Sequence, residues 1–497
     1  MTETRSHEFQ AGAAPGGKIY YVDSVAGDDA SSGRTTQRPW RSLERLNQVT
    51  FQAGDMIRFR RGREFAGMFT PRGSGSPGRP ITIDAYGTGP KPVIDGGGAT
   101  AAIMLSNVEG WQVRDLDVRN EGPPPVPGEQ RAGIYVLLED FGVGRHYVIS
   151  NVDVHDVNGP DSRSPIPSGG IVFVAGGTAR PTGFDGVTVE NNTVEHADRL
   201  GIALMSHWTR RDRYPDGTGS AYVPSKNVVI RRNRVKDVGG DGIMIYNGVR
   251  ALVEHNVVDG FAGRSAEFNS GVYGFNSDNS LFRHNEICNG QRNGMALDIE
   301  TADNGTVYEY NFSHHNNGGF LLTCNDAGAI ANNNVIRYNI SHDDRDGDGS
   351  VPLGVITVAC GIATNLRIHN NTIYAPNAAR VINNLGETAA EVSSNIFIGR
   401  SAGSTITDPH GTYSGNVYHN VTLRRAVDAN AVEADPLLAI QDGQTDADVH
   451  WFQLREGSAA LKGGDPTLEH NGRDYFGNAV SGTSPNIGAY QGPGVTP

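Results

Sequence analysis

One phrase returns along the middle of this chain and limits what it can fold into: an Asn, a short β-branched run, a polar turn, then Gly and a second apolar run. The Asn copies are Asn192, Asn233, Asn256, Asn285, Asn311, Asn339, Asn371 and Asn395. Spacings such as 233 to 256 and 285 to 311 fall at 23 and 26 residues, a period that belongs to stacked repeats and not to a globular core. The longer gaps mark inserted loops. Within a copy, Val228-Val229-Ile230-Arg231-Arg232-Asn233-Arg234-Val235 alternates apolar and polar residues at a period of two, which is the signature of a strand. A single such coil cannot bury its apolar face, whereas stacked coils bury a continuous column of Val, Ile, Leu and Phe. The reading is an all-β, right-handed parallel β-helix, with the Asn amides placed to form a ladder along its axis and Asn tolerating the left-handed bends between strands.

Composition agrees and removes some functions. The 497 residues include 65 Gly, well above the usual share of about 7%, and with no collagen period this means many tight turns. A net charge of −13 argues against a nucleic-acid partner, which needs a basic face. No run approaches the roughly 20 apolar residues of a membrane span, and residues 1–17 hold no apolar stretch resembling a signal-peptide core. Three cysteines, Cys288, Cys324 and Cys360, are too few and odd in number for a disulfide framework. They read as buried thiols acting as small hydrophobes. The segments expected are a disordered tail at 1–17, a cap and first coils at 18–108, the β-helix with inserted loops at 109–425, and a closing segment of the same domain at 426–497.

The opening phrases Tyr20-Tyr21-Val22-Asp23, Ala26-Gly27-Asp28-Asp29, Pro39-Trp40-Arg41-Ser42-Leu43 and Gly54-Asp55-Met56-Ile57 resemble the amino-terminal signature of the pectin-lyase-like β-helix superfamily. That superfamily holds polysaccharide lyases and β-helix glycoside hydrolases. Ala434-Asp435-Pro436-Leu437, Trp451-Phe452-Gln453-Leu454 and Asn486-Ile487-Gly488-Ala489-Tyr490 resemble its closing segment, so the resemblance spans nearly the whole chain. It implies a short capping helix near Ser42 to Val49, a carbohydrate-related role and a secreted or periplasmic location. It does not select a reaction, and no catalytic motif of a polygalacturonase or metal site of a pectate lyase is matched.

Aligning the second strand of each coil on its leading Gly (Gly170, Gly201, Gly242, Gly271, Gly294 and Gly319) sends alternate residues outward. Asp298 and Glu300 then share one outward face, about 6 to 7 Å apart along the strand. Neighbouring coils are expected to present Tyr246, Tyr273, Phe275, Thr323 and Asn325 around them, with Asp326 just beyond. Rings beside paired carboxyls suit a sugar. Glycoside hydrolysis needs one carboxyl as acid and a second as nucleophile or base, about 5 to 5.5 Å apart for retention or 6.5 to 9.5 Å for inversion. Asp298, Glu300 and Asp326 are the catalytic candidates, and Asp241 is a further acid beside them. The insertion His207-Trp208-Thr209-Arg210-Arg211-Asp212-Arg213-Tyr214 leaves the same face, and His207, Trp208 and Arg210 join Tyr246, Tyr273 and Asn325 as substrate-binding candidates.

Three functions fit these residues. Paired acids favour a glycoside hydrolase acting on a poly- or oligosaccharide. A polysaccharide lyase or C5-epimerase would instead use Arg210, Arg211 or Arg213 on a uronate, with His207, Tyr246 or His314 as base. A non-catalytic glycan-binding β-helix needs neither. No cofactor is required, although Asp344-Arg345-Asp346-Gly347-Asp348-Gly349 matches the first half of a calcium loop. Asp344, Asp346 and Asp348 are therefore metal candidates, with Val355 standing where such a loop expects an acid.

Overall fold

The computed structural model describes residues 16–163, 167–440 and 448–496, so most of the expected amino-terminal tail lies outside the described residues. The chain winds into three long, wholly parallel sheets of 15, 14 and 12 strands. From Ala101 onward a coil typically contributes one strand to each sheet, and each strand pairs with its counterparts in the coils before and after. The repeat is thus a right-handed parallel β-helix. Its interior is one column of side chains running from Val22 and Phe59 through Ile149, Val189 and Leu297 to Ile406 and Tyr418. No helix among the described residues is long and apolar enough to cross a membrane.

The expected helix forms at Leu43–Asn47, where the Ser42 hydroxyl accepts from the Arg45 amide at 3.1 Å and so caps its first turn. Leu43 and Leu46 are buried in the main column, closing its first end. The closing segment behaves differently. Trp451, Phe452, Leu454, Ile487 and Tyr490 pack with Phe312, Ile340, Ile396 and Val417, which belong to strands of the second sheet. This segment therefore folds back over the outside of the helix.

The Asn ladder is present and continuous. Each side-chain amide from Asn192 to Asn395 donates to the side-chain oxygen of the next Asn along the axis at 2.9 to 3.0 Å. Asn416 extends it, and Asp428 ends it by accepting at 2.9 Å. A carboxylate only accepts, so it terminates a chain of donors without leaving a proton unmatched. The left-handed backbone falls one residue before each rung, at Asn191, Arg232, His255, His284, Tyr310, Tyr338, Asn370 and Ser394. The rung position is thus kept by hydrogen bonding and not, as the sequence suggested, by tolerance of the bend.

Asn311 is fully buried. Its amide also donates to the Phe282 carbonyl, and its oxygen receives the Asn285 backbone N–H. Asn311→Ala leaves those partners stranded at about 1–3 kcal/mol for each unsatisfied group. The urea midpoint is expected to fall clearly, with Ser401→Ala, on the exposed surface, as the control that moves it little.

Candidate active site

The strand Met295–Glu300 carries the site. Leu297 and Ile299 point into the column, so Asp298 and Glu300 point outward together, as alternation requires. The register around them differs from the Gly alignment. Ser270 pairs with Met295 and Tyr273 with Asp298, so Gly294 lies two residues short of the point opposite Gly271 and Asp298 stands beside Tyr273. Glu300 takes the column of Phe275 and pairs onward with Cys324. Met295 pairs with Gly319, a further slip of one residue, and a one-residue slip reverses which side chains face out. Leu322 and Cys324 therefore face outward, in place of Thr323 and Asn325.

The outward acids are nevertheless shielded from solvent, Asp298 buried and Glu300 half-buried. Asp298 is only 3% exposed, because loops from other coils close over this face and leave a cavity of about 250 Å³. Its polar lining includes Arg163, Asp241, Ser270, Asp298 and Glu300, and its walls include Phe268, Leu322, Leu353 and Leu385. Cys324 and Cys360 also line it, and they are joined as a disulfide with Cα atoms 4.5 Å apart. The expectation of three free thiols was wrong for this pair; Cys288 alone is free, and it is buried. The bridge spans 36 residues and two coils, a proximity that only the register creates.

Burial sets the chemistry of the pair. Asp298 is held well above the ordinary carboxyl range, first by desolvation and then by the negative charge of Glu300. The Ser270 hydroxyl donates to its Oδ2 at 3.2 Å, while Oδ1 has no hydrogen-bond partner. Glu300 is pushed up to about 7, again chiefly by desolvation. It is restrained by the Thr301 N–H and hydroxyl at 3.2 and 3.0 Å and by the charge of Arg163. Arg163 reaches Asp241 Oδ2 and the Tyr273 hydroxyl, each at 3.3 Å. Two neighbouring carboxyls that cannot readily ionise together titrate as one system, in which the first proton lost leaves one acid and one carboxylate side by side.

The remaining candidates separate into those near this pair and those elsewhere. Tyr273 lines the cavity. Tyr246 stacks on Phe275 with ring centres 4.1 Å apart, beside the column of Glu300. Asp326 accepts the Tyr214 hydroxyl at 2.6 Å and its charge raises Glu300, which places it at the margin. Asp241, buried and bonded to the Ser270 amide at 3.0 Å, forms part of the polar wall. Trp208 is excluded as a sugar contact, since it is fully buried with its indole N–H on the Gly176 carbonyl. Asn325 is likewise structural, buried and accepting from the Ala302 amide. Arg210 is tied to its own loop through the Gly217 carbonyl, and neither it nor His207 lines the cavity. Arg211 and Arg213 are both spent on Asp278, and His314 lies on the second sheet.

The calcium-loop acids do not converge. Asp344 is buried and accepts from Ser313, Ser341 and Asn316. Asp346 pairs with Arg380, and Asp348 is exposed and bonded to Ser350. The segment is irregular and lies between the strands Ile340–His342 and Ile356–Val358, so the three carboxyls are spent on separate partners instead of wrapping an ion. Sequence reading missed Arg163, Ser270 and Phe268. Ser270 immediately precedes an aligned Gly, but Arg163 and Phe268 come from loops whose approach no period encodes.

A family model for the right-handed β-helix region matches residues 101–342. The fold is that of a right-handed parallel β-helix. It is 28% identical to a lacto-N-biosidase of Bifidobacterium longum over 96% of its own length, while spanning 36% of that larger relative. A crystal structure of the GH136 lacto-N-biosidase from Eubacterium ramulus superimposes with a TM-score of 0.62 at 26% identity, covering 76% of this chain and 68% of the other. A complex of XylC with xylose superimposes at 0.59 over 96% and 98% of the two chains, at 13% identity, and is similar in fold.

Because Arg163 draws the Glu300 titration downward, Arg163→Met is expected to move its midpoint up from about 7, by roughly one pH unit. Isotope-edited infrared titration of the carboxyl stretch reads this directly, and Arg163→Lys, which keeps the charge, is expected to move it less.

Proposed function

We propose that this chain is a glycoside hydrolase that removes the terminal part of an oligosaccharide. The observation that carries the reading is the neighbouring pair Asp298 and Glu300 on one strand face, with both affinities for protons raised in a partly enclosed cavity. Burial divides their roles. Asp298, the more strongly perturbed, keeps its proton and donates it to the glycosidic oxygen as that bond breaks. Glu300 supplies the carboxylate that either attacks the anomeric carbon or takes a proton from the attacking water. Arg163 limits the cost of the charge on Glu300, while Phe268 and the leucine walls meet the C–H faces of a sugar ring.

The cavity is small for a ligand site, where volumes of about 300–1,000 Å³ are usual, and its walls come from loops that block a groove. That shape favours an end of a sugar chain over a run of polymer. The relatives named lacto-N-biosidase support hydrolysis, and a lacto-N-bioside is the first substrate to offer. A uronate-directed elimination has less support, because Arg211 and Arg213 are already paired with Asp278 and the cavity's Arg163 faces Asp241.

Activity requires Glu300 ionised and Asp298 protonated. The rate is therefore expected to fall as pH drops through about 7 and to fall again at higher pH as Asp298 loses its proton. Incubation with para-nitrophenyl lacto-N-bioside and a panel of neutral glycosides is expected to release nitrophenol, with Asp298→Asn and Glu300→Gln each losing about 10²–10⁴-fold in kcat/KM. Turnover that survives both substitutions, or products carrying the absorbance of an unsaturated uronate, would overturn the assignment.

A further inference from the structure

A second cluster of chemistry-bearing side chains stands on the outside of the second sheet. Glu286 and Cys288 share one face of the strand Glu286–Cys288, because Ile287 between them is buried in the column. In the next coil Cys288 pairs with His314. One ligand atom from each of Glu286, Cys288 and His314 lies within 4.8 Å of the other two, and among the described residues no other group of three His, Cys, Asp or Glu residues meets that condition. We propose that these three residues bind a borderline-soft divalent cation, with Zn²⁺ as the ion that fits them best.

The donor set is the first reason. Thiolate, imidazole and carboxylate are the three ligand types that Zn²⁺ accepts, at about 2.0–2.3 Å each, which sets donors round a tetrahedral ion about 3.5 Å apart. His314 Nε2 already stands 3.2 Å from Glu286 Oε1, so a small closure suffices. A cation would take the place of the thiol proton of Cys288, releasing it to solvent.

The second reason is the surroundings of His314. Its other nitrogen, Nδ1, lies 3.0 Å from Nδ1 of His315. A proton held there leaves the Nε2 lone pair facing Glu286, and metal-binding imidazoles are commonly fixed through their second nitrogen in this way. The ring also packs on Phe312, with centres 4.7 Å apart, and both Cys288 and His314 are buried. The donors sit on paired strands of a rigid column, so little ordering is needed to bring them together. Asp259 approaches the thiol to 3.7 Å but is engaged by Arg234 at 3.0 Å and Asn289 at 2.8 Å. It supplies negative charge beside the site and leaves the fourth position to water.

The test uses the full chain stripped with a chelator and titrated with Co²⁺ by absorption and with Zn²⁺ by calorimetry. One equivalent of Co²⁺ is expected to give ligand-field bands of tetrahedral intensity and a near-ultraviolet thiolate charge-transfer band, both displaced by Zn²⁺. Cys288→Ser is expected to abolish the charge-transfer band. Glu286→Gln, at an exposed residue where folding is not at stake, is expected to weaken Zn²⁺ binding at least about tenfold. Absence of the thiolate band in the unaltered protein, its persistence in Cys288→Ser, or unchanged Zn²⁺ affinity in Glu286→Gln would each overturn the proposal. None of these readouts depends on the hydrolase assignment.

Discussion

The register between successive coils is the constraint on which the rest of this structure depends, and the buried amide ladder is what enforces it. A column of Val, Ile and Leu contacts is tolerant of sliding, because one methyl packs much as another does. Hydrogen bonds are not tolerant in this way. Each ladder Asn satisfies a backbone carbonyl, a backbone N–H and the next amide, as at Asn285, Asn311 and Asn339. A coil displaced by one residue would bury several of these groups without partners, which costs far more than the loss of any single bond gains. The polarity of the ladder matters as well: every amide donates in one direction, and the acceptor-only Asp428 resolves the last proton.

A fixed register turns the outer faces into aligned columns, and this lets residues far apart in sequence act on one point. Arg163, Tyr273 and Asp241 meet although the first two are separated by 110 positions. The same alignment explains how an outward carboxyl, Asp298, becomes buried. Upstream of Asp298, the outward column is already apolar, with Val172, Met244 and Tyr273 in one cluster, and Leu322 follows it on the other side. Asp298 thus interrupts a hydrophobic stripe. An acid in that position destabilises the fold by its desolvation, and the raised proton affinity is the same free energy seen from the titration side. For Glu300, whose folded value of about 7 exceeds its ordinary 4.5, the unfavourable charge is absent in acid and grows as pH rises through that value. Local rules of burial are broken here, a departure that natural proteins commonly make at functional sites.

How much of this could be read from sequence follows from the range of each interaction. Period-two alternation and the Asn spacing are local, and they identified the β-helix, the ladder and the outward parity of Asp298 and Glu300. The offset between coils is not local. Gly294 and Gly319 look like their counterparts Gly242 and Gly271, yet they sit at different points of the turn, so Phe275 was placed beside Asp298 where Tyr273 stands, and Thr323 and Asn325 were turned outward where Leu322 and Cys324 are. The disulfide was hidden by the odd count of three cysteines, whereas it is the stacking of neighbouring coils that sets Cys324 next to Cys360. Trp208 was misjudged for another reason: an aromatic residue in an inserted loop is as able to anchor that loop as to meet a ligand, and its fully buried indole does the former.

The solenoid separates the work of folding from that of chemistry more completely than a globular core does. Inward positions and ladder positions are filled by stability, leaving each outward face free to be covered in its own way. The third sheet is covered by loops that leave a cavity over paired acids. The second sheet is covered along part of its length by the closing segment, where Trp451 and Phe452 meet Phe312 and Ile340. Glu286, Cys288 and His314 lie on that sheet beside this cover, with Phe312 common to both through its contact with the His314 ring. Because the column between the two faces is packed with rigid, register-locked strands, a group bound on one face has no hinge through which to reach the other. Each outer face can therefore acquire or lose a site without disturbing its neighbour, which is the physical reason that one such scaffold can carry chemistry on more than one side.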